Sequence, residues 1–293
     1  MKYQFIKDHR SEFTMKKMCQ VLKISMSGFY HWVNRSPSAR AVQNNRLKER
    51  IFEIFLEHNG MAGSPMITAD LHDYPEFANV SENRVARLMR EMNLKCKTLK
   101  KFVVTTDSKH KYPVAENLLN RQFDVKAPNT VWVSDITYLK IGRHWYYLTV
   151  FIDLYSRCIV GWDLSGSLER HSAIRALNKA IMRRRPGKGL MVHSDRGVQY
   201  ASLEFRKVLK KNGFIQSMSR KENCWDNAVA ESFFHTIKTQ LIYHIRFNNF
   251  EETERILFKY IEVYYNQRRK HSTNGWKSPA RYEQEWYNLK NVA

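Results

Sequence analysis

At 293 residues, with 43% hydrophobic and 13% aromatic content, the chain can build one substantial core and one or two small modules. Its 49 Lys and Arg against 28 Asp and Glu give a net charge of +21, a surplus whose field collects polyanions and points to nucleic acid as the partner. Four widely spaced cysteines with no C-x-x-C pair argue against a structural zinc site and a disulfide framework, and no apolar run reaches signal-peptide or bilayer length, so a soluble cytoplasmic chain with no membrane partner is expected.

Residues 4–34 read as a small helical unit. Met18, Val21 and Leu22 recur at helical spacing, as do Phe29, Trp32 and Val33, with Ser25 or Ser27 placed to cap the second helix. Two short helices joined by a tight turn suit a helix-turn-helix over 1–36, although any small helical bundle shows the same pattern. Ser36-Pro37-Ser38 then punctuates the chain. A second helical DNA-binding module is expected over 37–94. There Leu47, Ile51, Ile54 and Phe55 share a stripe, and in the last segment Ser81 is the cap and Val85, Leu88, Met89 and Met92 the buried face. Arg84, Arg87 and Arg90 lie off that face. Arg84 and Arg87 are candidate DNA contacts, weighed against an ordinary solvated helix face. Residues 95–126 read as a basic linker; 95–111 hold six lysines and one aspartate, a charge that favours crossing a polyanion.

After Pro113 the character changes. V-W-V-S-D-I-T-Y-L, H-W-Y-Y-L-T-V-F-I-D-L and C-I-V-G-W-D-L are β-rich runs separated by tight turns, which predicts an antiparallel meander. A helix near 170–184, a strand at 190–193, a helix at 203–212, a strand at 214–218 and a helix at 227–243 follow. The expected core over 127–246 is therefore α/β, a mixed five-stranded sheet with flanking helices. A final helix over 251–265 leads into the basic N-Q-R-R-K-H-S within 247–293, where Arg268, Arg269 and Lys270 are further candidate DNA contacts.

Three acids carry the chemistry. Asp135 lies mid-strand on the face of Val133 and Thr137, a costly place for a charge unless something compensates it. Asp195 ends a later strand, where an α/β sheet presents ligands. Glu231 follows after 35 intervening residues, on a helix where Glu231, His235 and Lys238 share one stripe and Ala230, Phe233, Phe234, Ile237 and Leu241 the adjoining apolar one. Hard oxygen ligands without a thiolate favour Mg²⁺ or Mn²⁺, and two such ions about 4 Å apart serve in-line displacement at phosphorus. Lys238 is placed for a phosphate and His235 for DNA. Singly, an edge-strand residue, a turn former beside Gly197 and a surface helix position would account for the acids; jointly they point to metal-dependent phosphate chemistry. Asp226 reads as a helix cap, Asp153 as structural, His193 as a hydrogen-bonded core residue ahead of a support for Asp195, Trp225 as packed into its loop, and Arg183-Arg184-Arg185 as a solvated helix end.

W-V-S-D-I-T-Y, H-S-D-R-G-V-Q-Y and N-A-V-A-E-S-F-F-H-T-I-K resemble the three blocks of the D,D-35-E catalytic domain of two-frame bacterial insertion-sequence transposases, relatives of retroviral integrases. The start resembles that of the downstream-frame product, and Y-N-Q-R-R-K-H-S with K-S-P-A-R-Y its C-terminal block. The resemblance implies a ribonuclease-H-like fold, two Mg²⁺ ions (Mn²⁺ as substitute) held by Asp135, Asp195 and Glu231, and a basic contact at Lys238. It further implies cleavage at element ends and strand transfer by transesterification, with sequence-specific binding of terminal inverted repeats, target DNA as second substrate, a nucleoid-associated site of action and a homo-oligomer. Such a product works alone, with an upstream-frame DNA-binding protein, or fused to it. Met66 stands where relatives often carry a basic residue, Asn274 where an apolar one is common, and the His/Cys zinc module of retroviral integrases has no counterpart. A structure-directed nuclease of the same fold and a non-catalytic DNA-binding regulator are the alternatives.

Overall fold

The computed structural model describes residues 1–97, 113–167, 170–221 and 223–292. Most of the lysine-rich linker stretch therefore lies outside the described residues. The chain opens on three helices, α1 (Lys2–Asp8), α2 (Met15–Leu22) and α3 (Met26–Val33), packed around Ile6, Met18, Cys19 and Phe29. Ser25 caps α3 by accepting from Gly28 N at 3.0 Å. The first helix was not anticipated: Tyr3 and Ile6 give it only two core-facing residues, too few for a periodic signal. Val21 and Val33, read as part of the apolar face, are exposed.

A second helical unit follows, α4 (Ala39–Glu57), α5 (Ser64–Leu71) and α6 (Glu82–Glu91). Leu47, Ile51, Ile54, Val85, Leu88 and Met89 meet in one core, as their spacing predicts, and Ser81 caps α6. The α/β unit comprises β1 (Val131–Ile141), β2 (His144–Asp153), β3 (Ile159–Ser165), α7 (Arg170–Arg184), β4 (Met191–Ser194), α8 (Val198–Ala201), α9 (Leu203–Asn212), β5 (Ile215–Met218) and α10 (Ala228–Gln240). The sheet order is β3-β2-β1-β4-β5, antiparallel through the meander and parallel from β1 to β5. A two-residue turn, with Gly142 at φ 58°, suffices for the first hairpin; the parallel pairs need helical crossovers, supplied by α7 and α9. This mixed five-stranded sheet with flanking helices is the ribonuclease-H-like arrangement that the resemblance implies.

Alternation along β1 sends Trp132 to one side and Val133 to the other. Trp132 joins Phe151, Leu177, Tyr200 and Phe205 under α7, α8 and α9. Val133 joins Val150, Phe233, Phe234 and Ile237 under α10, together with Leu257 and Ile261 from the C-terminal helix α11 (Phe250–Phe258) and its π-helical continuation Lys259–Tyr265. The chain from the basic N-Q-R-R-K-H-S onwards is built structure: a bridge pairs His271 with Lys277, and α12 (Pro279–Val292) follows. Its inward groups are aromatic, Tyr282 and Trp286 against Tyr155, rather than an aliphatic stripe, which is why periodicity did not show it. No helix among the described residues is long and apolar enough to cross a membrane.

Gly161 on β3 marks a close approach of sheet and helix. A Cβ there would lie 2.7 Å from Ala180 Cβ and nearer still to Ala176 O, both on α7. Gly161→Ala should therefore cost about 1–3 kcal/mol, read as a lowered urea midpoint with an unchanged m-value.

Candidate active site

The parallel register of β1 with β4 ends at Ser134 opposite Ser194. The next residue on each chain is an acid, so Asp135 and Asp195 stand side by side. Each is half-buried and anchored by a backbone N–H: Ile136 N donates to Asp135 Oδ1 at 2.8 Å, and Gly197 N to Asp195 Oδ1 at 3.0 Å. On the Val133 side, α10 is fastened by Ala230, Phe233, Phe234 and Ile237. This leaves Glu231 and His235 exposed and Lys238 half-buried.

The electrostatics tie these groups together. Burial raises the Asp135 carboxyl well above the carboxylate range, and repulsion from Asp195 adds to it; Glu231 raises it further, while the Ile136 N–H and Lys238 oppose the rise. Desolvation raises Glu231 as well. Burial lowers Lys238, with Asp135 pulling it back up. Among the described residues, no group of three His, Cys, Asp or Glu side chains is arranged to hold a metal ion. The fit to a cation therefore rests on the Asp135 and Asp195 pair. Its donors are all oxygen, suited to a hard divalent ion, and the repulsion between them is what such an ion relieves.

Asp226 is corrected from a cap to a clamp. It is 0% exposed, accepts from Arg220 N, Nε and Nη2 and from Arg121 Nε and Asn117 Nδ2, all at 2.8–2.9 Å, and so joins the segment before β1 to the loop after β5. Arg220, with help from Arg121, holds its carboxyl well below the usual range. The N-cap position of α10 belongs to Asn227, which makes no side-chain cap bond. Both lie in a 3₁₀ turn, Cys224–Asn227. Neighbours in such a turn diverge, so burying Asp226 leaves Trp225 68% exposed rather than packed into the loop. Arg220 is six positions away, but nothing local in the sequence signals the other half of the clamp, because Arg121 is 105 positions away.

His193 is buried between Ser217 Oγ, 2.9 Å from Nδ1, and Ser219 Oγ, 3.3 Å from Nε2. It ties β4 to the end of β5, the hydrogen-bonded role expected. Asp153 is structural as well, accepting from Asn129 N and Tyr155 N. The arginines read as a solvated helix end are partly engaged instead: Arg183 pairs with Glu262, and Arg184 with Glu283 and Asp153.

The other candidate DNA contacts are spread widely. Arg84 donates to Asn44 and Gln43, tying α6 to α4, and Arg87 pairs with Glu91. Arg268 pairs with Glu57 across 211 positions. Arg269 lies against Tyr265 and His271. Lys270 is buried, bonded to Ala69 O and paired with Asp70 and Asp73. The basic run thus holds the C-terminal block against the second helical unit, and the structure does not gather these residues around the acids.

Family models match on both sides of the chain: two for an integrase core domain, over residues 125–224 and 212–279, and one for a helix-turn-helix-like domain over 43–102. That last match falls on the second helical unit, not on the first 36 residues. The insertion element IS600 uncharacterized 31 kDa protein of Shigella sonnei is 39% identical over 272 residues, covering 93% of this chain and 99% of that protein. Transposase InsF for insertion sequence IS3A of Escherichia coli K12 is 38% identical over 285 residues, 97% of this chain and 98% of its own length. Among solved structures, the HTLV-2 integrase catalytic core domain in complex with magnesium, in its trimeric form, is 19% identical with a TM-score of 0.43, over 54% of this chain and 97% of that one.

The C-terminal block has a titration of its own. Burial, with Arg269 and Arg157 nearby, pushes His271 down from 6.5 to about 3. The folded state keeps this imidazole neutral where the unfolded chain takes up a proton, so its contribution is complete above pH 6.5 and is lost as pH falls towards 3. Against His271→Asn, the wild-type chain should lose about 1.4 kcal/mol per pH unit below 6.5 and show a constant difference above it, measured by urea unfolding at several pH values.

Proposed function

Because this chain belongs to the family of insertion-sequence transposases that carry an integrase core domain, we propose that it is a polynucleotidyl transferase of the DDE type. It cleaves DNA at the ends of its element and joins the freed 3′-hydroxyl to target DNA by direct transesterification. The observation that carries this reading is the β1–β4 register, which sets Asp135 beside Asp195, with Glu231 and Lys238 within electrostatic reach. Asp135, Asp195 and Glu231 would hold Mg²⁺, or Mn²⁺ in its place. Such ions, when bound, supply activation of the attacking oxygen and stabilisation of the leaving one.

The chain's own groups do the rest. The Ile136 and Gly197 N–H groups each fix one oxygen of the carboxylate beside them. Lys238 supplies a positive charge beside Asp135 that can also meet a backbone phosphate. No side-chain nucleophile is required. The terminal inverted repeats are bound by the helical units, with target DNA as second substrate and a homo-oligomer as the working form.

Asp135→Asn, Asp195→Asn and Glu231→Gln should each lower end cleavage and strand transfer by at least about a hundredfold while leaving the Kd for terminal-repeat DNA within about threefold. The assay is a labelled terminal-repeat duplex with Mg²⁺. Retained activity in these variants would overturn the assignment, and cleavage without joined product in the wild type would identify a nuclease instead.

A further inference from the structure

Ser134 lies on β1 immediately before Asp135, 0% exposed, its side chain on the opposite face of the strand. Its hydroxyl donates to Val150 O on β2 at 2.8 Å and lies 2.8 Å from the Tyr200 hydroxyl. A serine has one hydroxyl proton. With that proton on Val150 O, the second bond must be donated by Tyr200. Burial, followed by the nearby Asp195 and Asp135, raises the Tyr200 pKa well above its ordinary value, so the phenol remains a protonated donor.

The carbonyl of the same residue accepts from Asn227 Nδ2 at 3.2 Å. That bond orients the amide and leaves Asn227 Oδ1 buried without a partner, unlike every other buried side-chain oxygen among the described residues. An orphaned acceptor is costly, so the Nδ2 contact is retained against an opposing cost. Tyr200 sits on α8, just beyond the Asp195 turn, and Asn227 one turn before Glu231. One buried residue on the strand of Asp135 is thereby bonded to the helix that follows Asp195 and to the turn that precedes the Glu231 helix.

We infer that Ser134 is the positioning residue of this site, with Tyr200 and Asn227 as its arms, holding the strand of Asp135 to the helix after Asp195 and to the turn before the Glu231 helix, so that the Asp135 and Asp195 pair stays placed for a divalent cation. The inference rests on the reading of Asp135, Asp195 and Glu231 as the cation-binding set. The physical need is plain: like charges at Asp135 and Asp195 push the two strand ends apart, and the Tyr200 to Ser134 bond resists that separation. Ligands held loosely lose affinity even when every one of them is present.

The test titrates Mn²⁺ into the full chain without DNA and follows free Mn²⁺ by electron paramagnetic resonance. Tyr200→Phe, Ser134→Ala and Asn227→Ala should each weaken Mn²⁺ binding by about tenfold, and Ser134→Thr, which restores the hydroxyl, should bind within about twofold of the wild type. Leu209→Ala, a core truncation on α9, should lower the thermal midpoint without changing the Mn²⁺ Kd. Normal binding by the first three variants, alongside loss in Asp135→Asn, would overturn the inference and leave the reading of the acids standing. Equal weakening in Leu209→Ala would overturn it too, as a general effect of destabilisation. Unchanged binding in Asp135→Asn would remove the acid set itself, and the inference with it.

Discussion

The repulsion between Asp135 and Asp195, held side by side by the register of two parallel strands, is the constraint on which the rest of the structure turns. Two carboxylates so placed would separate unless their strands could not move. The strand carrying Asp135 is the central one, hydrogen-bonded on both sides and buried on both faces through Trp132 and Val133. Its neighbour β4 is only four residues long, and its fixity comes from β1, from β5 and from His193 wedged between Ser217 and Ser219. The apolar core thus provides the stiffness that a strained pair of charges requires.

The helix that carries Glu231 packs on the Val133 face of the sheet, the face on which Asp135 lies. Its position is set at two ends. Phe233, Phe234 and Ile237 seat it in the core, and the turn before it is pinned by Asp226, whose partners come from two separate stretches of chain. A carboxylate that is itself fully buried but paired with arginines on the surface is a strong fastening, because removing either side strands a charge. The consequence is outward as well as inward: fixing Asp226 leaves the Trp225 ring in solvent.

The charge of +21 finds a more varied use than composition suggests. Several of the basic residues that look free in the sequence are spent within the molecule. Lys270 and Arg268 bind the C-terminal block to the second helical unit, Arg84 ties two helices of that unit together, and Arg184 reaches Asp153 and Glu283. A polyanion would meet the remainder, which is still a large surplus.

The sequence alone determined whatever depends on near neighbours. β-rich runs between tight turns gave the meander, helical stripes gave the N-terminal helices, and Ser25 and Ser81 marked the caps of α3 and α6, because each reports contacts made within a few residues. It also placed Asp135 and Asp195 at strand positions and Glu231 on a helix. Where a helix lacks an aliphatic stripe, as in α1 and α12, the local signal was absent and the element was missed. Only the tertiary structure decided that Asp226 is a clamp, that Lys270 is buried, that Asn274 packs its amide against Ser156 O, and that Ser134 joins three elements. Each of these includes a pairing across tens to hundreds of positions. Periodicity and capping carry no trace of such a pairing, because it is fixed by which surfaces the packed core brings together.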